Sequence, residues 1–459
     1  MLITAIAGIF VLGVVILVHE FGHFFVAKIS GIFVKTFSIG FGKKILRKRI
    51  GDTDYAFSAL PFGGYVKFAG EIDAASDDSE PLEEEPSGDE IPDSEIPPEK
   101  YFKNKSIPIK SAVILAGPLM NYVLAIVIYT LVSYAQGLPV ISTTTIGHVK
   151  AGSPADSCGL MVGDKILAVN GKQIADWDEM IDTILVNRET PKNFQIVRDA
   201  DTLAVDFKSK VENNLIQLGF RPLLPAVIGN VKRDAPAYRA GMRAGAVIEA
   251  INDTAIVSYY DIEQTIHPRP EIPMTVRWSQ DGVTHLDTLI PEAKKVLKEG
   301  TKTEMTTVGQ IGVGPSYERE PIAFTTAIRL GFRATWRMTT DILSFLKMLF
   351  TGKAGIDSLG GPILITQMAG EMARWGFHYL LYFLAFFSIN LCIFNLLPLL
   401  PFDGGHLSLF LYEGITRRKV NRRVREILTQ AGFILVILLM IFVVILDVSR
   451  CAGSSPSPF

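Results

Sequence analysis

The sequence predicts a polytopic α-helical membrane protein with four transmembrane helices, a membrane-associated β-hairpin and two tandem α+β domains. Three observations carry that prediction. Four apolar runs, residues 2–18 continuing to 27, 111–135, 375–402 and 427–446, are each long enough to span a bilayer. A block from about 137 to 320 has the composition of a soluble protein and repeats itself at an offset of 82 residues. Residues 31–70 alternate apolar and polar side chains between glycines, as hairpins do. With 459 residues, 48% of them hydrophobic, the chain exceeds one core and is more apolar overall than its soluble block requires. A net charge of −2 offers no basic field, so no nucleic-acid partner is expected. Cys158, Cys392 and Cys451 form neither a metal-type pair nor a disulfide framework.

The first membrane helix, residues 1–30, holds His19-Glu20-Phe21-Gly22-His23. Histidines four apart share one helix face, so both imidazoles can meet one Zn²⁺ while Glu20 points toward its water. Such a pentapeptide arises by chance in about one protein in a hundred of this length. Three ionisable side chains inside an apolar span are a stronger signal, because each is costly there without a function. The run lacks a basic leader and a small-residue cleavage site, so it is expected to stay in the chain.

Residues 31–70 carry Gly40-Phe41-Gly42 and Phe62-Gly63-Gly64-Tyr65 around the alternating stretch 55–60. A hairpin just behind a metal site could offer an edge to an extended peptide, and a plain interfacial loop is the alternative. Residues 71–100 form an acidic insertion, with thirteen acidic residues and no Lys or Arg between 71 and 99, expected to be disordered and solvated. The second span, 111–135, contains Pro118 and Asn121, polar features that need partners inside a helix bundle. Asn121 can serve the site or act as interhelical glue.

The repeat aligns Ser153-Pro154-Ala155, Gly159, Gly163, Ile166, Asn170 and Ile174 with Ala235-Pro236-Ala237, Gly241, Gly245, Ile248, Asn252 and Ile256. The pattern S-P-A-x-x-x-G-L-x-x-G-D-x-I-x-x-V-N-G resembles PDZ domains, which implies two PDZ-like domains, 137–222 and 223–320, that bind extended chains or gate access. In the second copy Ala246 replaces the aspartate and Asp253 the last glycine, which weakens the expectation of peptide binding there but not of fold.

Residues 321–374 show apolar side chains at helical spacing with Arg329, Arg333 and Arg337 between them, the pattern of amphipathic helices at a membrane interface. The third span, 375–402, leads into Asn395-Leu396-Leu397-Pro398 and Asp403-Gly404-Gly405-His406. A carboxylate where proline breaks a membrane helix is a natural third zinc ligand, and His406 competes with Asp403 for that place. Residues 427–448 form the fourth span. Basic clusters after the first span (Lys43, Lys44, Arg47, Lys48, Arg49) and before the fourth (Arg417, Arg418, Lys419, Arg422, Arg423, Arg425) put both loops in the cytoplasm and the repeat outside it. The same clusters suit contacts with anionic lipid.

H-E-F-G-H in a first span, Gly40-Phe41-Gly42, Asn121, paired PDZ-like domains and a distant N-x-x-P…D-G-G-H together resemble the site-2 protease family over nearly the whole chain. The resemblance implies an intramembrane zinc metalloendopeptidase of the bacterial inner membrane, with the PDZ-like pair periplasmic. It makes His19, His23 and Asp403 the Zn²⁺ ligands and Glu20 the catalytic acid/base, and it puts Gly40, Phe41, Gly42, Asn395 and Asn121 on the substrate side. Its partners would be the lipid bilayer and a trimmed, membrane-spanning substrate like an anti-sigma factor, with leftover signal peptides as a second class. Pro401 falls one residue late against the family pattern, and the acidic insertion is unusual for it. The rival classes are a non-catalytic PDZ-bearing scaffold, which has no use for Glu20, and a membrane metal transporter, which should show repeated membrane halves that this sequence lacks.

Overall fold

The computed structural model describes residues 1–70, 95–186, 190–212, 215–297, 305–352, 355 and 359–451. It falls into two compact units, Met1–Ala135 with Ala323–Pro458, and Gln136–Ile322. Among the described residues, four helices are long and apolar enough to cross a membrane: Leu2–Ile29, Ile107–Gln136, Phe377–Asn395 and Arg422–Arg450. All four belong to the first unit.

Helix α1 (Leu2–Ile29) buries Ala7, Gly8, Val11, Val15, His19, Gly22 and His23, a stripe with helical period that packs into the bundle. The two histidines thus continue an apolar seam, while Leu2, Ile6, Phe21 and Phe25 stay exposed as lipid-facing residues should. Gly31, at φ 65°, turns the chain into β1 (Val34–Ile50) and β2 (Thr53–Phe68). The pair is more than a simple hairpin. Phe37 pairs with Val66 on one side and Tyr55 on the other, so the start of β1 lies between both ends of β2. Gly40 and Gly42, at φ 91° and 83°, bend β1 so that residues 44–50 double back along 53–58. Phe24 of α1 packs on Phe37, ring centroids 5.0 Å apart, and fixes the sheet against the helix.

The acidic insertion lies outside the described residues from 71 to 94. Its end departs from the solvated expectation: Ile96 is buried with Phe33 and Ala69, and the Phe33 N–H donates to Lys100 O. A 3₁₀ turn, Pro98–Lys100, leads from there toward α2 (Ile107–Gln136), which begins four residues before the predicted span.

The second unit opens with β3 (Leu138–Val140) and β4 (Ile146–Val149), followed by α3 (Pro154–Ser157), β5 (Lys165–Val169), β6 (Lys172–Gln173), α4 (Trp177–Leu185), β7 (Lys192–Arg198) and β8 (Asp201–Phe207). A short pair, β9 (Lys210–Glu212) and β10 (Leu215–Gln217), precedes β11 (Phe220–Pro222), which pairs with β4. The series then recurs: β12 (Ile228–Val231), α5 (Pro236–Arg239), β13 (Val247–Ile251), β14 (Thr254–Ala255), α6 (Tyr259–Ile266), β15 (Met274–Gln280) and β16 (Val283–Leu289). Next come β17 (Glu292–Leu297), β18 (Met305–Gln310), β19 (Val313–Pro315), which pairs with β12, and β20 (Glu318–Glu320), which pairs with β3. The two four-stranded sheets have the same order, β6-β5-β7-β8 and β14-β13-β15-β16. Each Asn turn is built alike. Asn170 and Asn252 sit at φ 51° and 50°, and their side chains accept from the Asn193 and Thr275 N–H groups.

Returning to the first unit, α7 (Phe324–Phe350) buries Ala327, Gly331 and Thr335 at a spacing of four. A Cβ at Gly331 would meet the Thr130 hydroxyl and, at 2.8 Å, the Ile126 carbonyl, so this seam packs α7 along α2. α8 (Pro362–Trp375) packs on α1, with Gly8 against Thr366 and Gly370 against Thr4. The amphipathic helices expected at 321–374 therefore do not lie apart from the bundle: each has a small-residue face fitted to a membrane helix. α8 lacks a cap of its own. The Asp447 carboxylate accepts from the N–H groups of Gly361, Ile363 and Leu364 at 3.0–3.1 Å and pairs with Arg450 at 3.2 Å. Gly376, at φ 142°, separates α8 from α9 (Phe377–Asn395), so the predicted run 375–402 is a helix of 19 residues plus a loop. α10 (Asp403–Thr416) and α11 (Arg422–Cys451, which bears Asp447) complete the chain.

Candidate metal centre

α1 presents His19 and His23 one turn apart, both buried, with their Nε2 atoms 3.2 Å from each other. Asp403, first residue of α10, sends Oδ2 to within 3.2 Å of His19 Nε2 and 3.6 Å of His23 Nε2. A tetrahedral zinc with bonds of about 2.0–2.1 Å has ligand-to-ligand edges near ~3.3 Å, so the three atoms stand at three corners of such a tetrahedron. Asp403 Oδ2 is buried and has no hydrogen-bond partner among the described residues, as expected of an oxygen whose partner is a cation. The chemistry of the set, two imidazoles and one carboxylate, fits Zn²⁺ with one open position.

The ring tautomers are held from behind. His23 Nδ1–H donates to the Val113 carbonyl of α2 at 2.9 Å, which leaves the Nε2 lone pair for a metal. Asn121, fully buried, puts its carboxamide 3.4 Å from His19 Nδ1. With the amide oxygen toward the ring, His19 Nδ1–H has its acceptor, and Asn121 Oδ1 is no longer left without a partner. Ser388 of α9 donates to the Asn121 carbonyl at 2.8 Å and ties the third span to this point. Asn121, expected on the substrate side, stands at the Nδ1 edge of the His19 ring.

Glycines decide how closely these parts approach. A Cβ at Gly117 would run into the His23 ring, and one at Gly22 into the Ala116 carbonyl, so α1 and α2 cross almost backbone to backbone at the histidines. At Gly404 a Cβ would collide with the Leu396 and Leu397 carbonyls, which explains why glycine follows the aspartate. Gly64 of β2 lies against Glu20, 3.4 Å from its Cγ to an added Cβ, and the Val66 backbone faces the same carboxyl. The residue beside Glu20 is therefore Gly64. Gly40 and Gly42 shape the bend farther along the sheet, and the Phe41 side chain lies outside the described residues. Gly22 and Gly64 lie in sequence motifs, and Gly117 in a span, but none was singled out as a point of close approach. A G-G pair in an alternating stretch and an A-G-P step in a span were the available signals.

Asn395 ends α9 with its amide nitrogen 3.3 Å from His19 Nε2, on the metal-facing side. His406 stands one turn beyond Asp403 and is not part of the cluster; among the described residues the close donor set is His19, His23 and Asp403. Cys392 is buried, free and likewise outside that set.

Four membrane-crossing helices around a His-His-Asp cluster with a glutamate beside it define a membrane-embedded metallohydrolase. Comparison with known proteins makes the class specific. The profile of Peptidase family M50 matches residues 7–439, and the chain belongs to that family. It is 32% identical over 462 residues to the regulator of sigma-E protease RseP of Escherichia coli (strain K12), covering 96% of this chain and 97% of that protein. It is 31% identical over 469 residues to protease RseP of Yersinia pestis, covering 97% and 98%. A PDZ domain of an SdrC-like protein from Listeria monocytogenes matches 20% of the chain and 86% of its own length at 21% identity, with a TM-score of 0.16 that is too low to define a fold.

Proposed function

We propose that this zinc protease cuts a peptide bond within the membrane-spanning segment of a single-pass protein that an earlier cut has trimmed, using His19, His23 and Asp403 as zinc ligands and Glu20 as acid/base. The observation that carries this is the tetrahedral spacing of the three donor atoms with Glu20 beside them. Zinc bound there supplies a polarised carbonyl and a water that ionises near neutral pH. Glu20 takes the proton of the attacking water and returns it to the leaving amine. Asn395 donates to the substrate carbonyl oxygen as it gains charge, and Asn121 and the Val113 carbonyl hold the two rings in register.

A substrate helix hides its carbonyls in its own hydrogen bonds, so it must unwind before attack. The bent sheet beside Glu20 accepts the unwound strand: Gly64 contributes no side chain, and Gly40 and Gly42 bend the sheet farther along. The basic clusters face the cytoplasm of a bacterium, and the repeat unit, as a periplasmic PDZ-like pair, screens substrates by the size of their outer part. The name of the Escherichia coli relative, regulator of sigma-E protease, fits a substrate that controls a sigma factor, here an anti-sigma-factor-like membrane protein, and signal-peptide remnants are a second class.

The test is Glu20→Gln. Zinc content should stay at the wild-type level while cleavage of a membrane-span peptide falls by about 10²–10⁴, the worth of a positioned acid/base. Undiminished cleavage with zinc bound would overturn the assignment.

A further inference from the structure

Four buried side-chain polar atoms have no hydrogen-bond partner among the described residues: Asp54 Oδ1, Asn121 Oδ1, Asp403 Oδ2 and Arg425 Nε. Asn121 and Asp403 belong to the metal centre, and Asp54 uses its other oxygen to hold Arg47 at 2.6 Å. Arg425 is the one the catalytic site does not explain. It is a donor, so what it lacks is an acceptor.

Arg425 stands in the first turn of α11. Glu413, Arg425 and Lys419 are the charges that act on Lys110 of α2, and Arg425 acts in turn on His406 of α10. These influences define a corner with three cations, Lys110, Lys419 and Arg425, and with Glu413 as the carboxylate acting on Lys110. That carboxylate is engaged: Glu413 Oε1 accepts from the Val420 N–H at 3.2 Å. Lys110 Nζ lies 5.0 Å from the centre of the Phe410 ring, which holds it over the corner. Around it, Leu411, Tyr412 and Ile415 of α10 and Ile427 and Leu428 of α11 are exposed. An anion-deficient corner with an apolar collar, at the end of membrane-crossing helices, has the make-up of a headgroup level.

We propose that this corner is a binding site for one anionic phospholipid. Its phosphate accepts from Arg425 Nε–H and from the ammonium groups of Lys110 and Lys419, and its acyl chains lie along the collar of α10 and α11. Arginine suits a phosphate oxygen because its planar donors are fixed in direction, and a choline headgroup would bring a fourth cation into the corner. The inference rests on the membrane-spanning fold and is independent of the zinc chemistry.

The test uses delipidated full-length protein in detergent, titrated with short-chain phosphatidylglycerol or phosphatidylcholine, with bound lipid counted by native mass spectrometry. One phosphatidylglycerol per chain should bind with at least ten-fold preference over phosphatidylcholine. Arg425→Gln, and separately Lys110→Gln with Lys419→Gln, should each weaken it five-fold or more, the second variant serving if the first does not fold. Arg417→Gln with Arg418→Gln, a pair of exposed charges nearby, should weaken it less than two-fold. Equal loss in that control, or equal binding of the two lipids, overturns the site in favour of diffuse attraction. Inorganic phosphate that displaces the lipid at matched concentration overturns it in favour of a free-phosphate site. Binding that appears only when residues 71–94 are deleted, with their eleven carboxylates, overturns it in favour of the chain's own acidic segment.

Discussion

The membrane unit and the repeat unit treat buried polar groups in opposite ways. In the repeat unit Asp164, almost wholly buried, receives Arg198 Nε and Nη2 at 2.7 Å each and the Met161 N–H at 2.8 Å, so its carboxylate is saturated. The membrane unit holds all four of the buried polar atoms that lack a partner among the described residues. Saturated polar groups fix a fold, whereas an unsatisfied one at a cluster of donors, as at Asp403 Oδ2, marks a place for a ligand from outside the chain. Chemistry and recognition would then reside in different units, and each can be attacked without the other.

The largest effect expected is that of Asp403→Ala. Zinc measured per chain should fall by more than the roughly 100-fold that loss of an outer partner costs, and peptide cleavage should fall with it. His406→Ala should keep most of both, and metal content that followed His406 instead would move the third ligand to that residue. Asn121→Ala should come next, with zinc affinity down about 10–100-fold, because His19 loses the group that orients its ring. Gly117→Ala should act in the same direction by pushing both imidazoles, and unchanged zinc binding in that variant would break the close-crossing account.

Smaller effects should appear across the unit boundary. Asp164→Ala strands a guanidinium and should cost the repeat unit about 2–4 kcal/mol in denaturant unfolding, with zinc content untouched. The second copy shows the remedy, since Ala246 and Gln280 occupy the positions of Asp164 and Arg198, and Gln280 accepts from the Arg243 N–H at 3.1 Å. Asp164→Ala with Arg198→Gln should regain at least half of the loss. Zinc lost from Asp164→Ala would mean that the units are not separate. Deleting residues 147–314 should leave cleavage of a short membrane-span peptide roughly unchanged and should admit untrimmed substrate. Loss confined to trimmed substrate would favour capture of the new chain end over a size filter.

The metal centre was legible wherever chemistry dictates spacing. Histidines four apart must share a helix face, so His19 and His23 could be read from residue types alone, whereas Asp403 had His406 as a competitor and was preferred partly through the family resemblance. Elements recurring at 82 residues were legible because glycine and asparagine are required where φ is positive. Illegible were the features set by how helices cross. Gly22 and Gly117 look like ordinary small residues until α1 meets α2, and Asn121 could not be assigned to His19 without knowing which ring nitrogen it faces. The helices at 324–350 and 362–375 carry charges that suggest an interface, yet the small residues of their other faces fit them to α2 and α1.

Asp447 has a consequence for how the protein is made. α8 begins at Gly361 and Pro362 with no cap of its own, and in lipid each bare N–H there costs several kcal/mol. Its acceptor arrives 86 residues later, near the end of the last span. During synthesis, at about 5–20 residues per second, α8 would wait several seconds for that carboxylate. Until α11 is inserted, the helix that packs against the histidine-bearing span cannot settle. α11, made well after α8, thus completes the housing of a site whose first two ligands stand on α1.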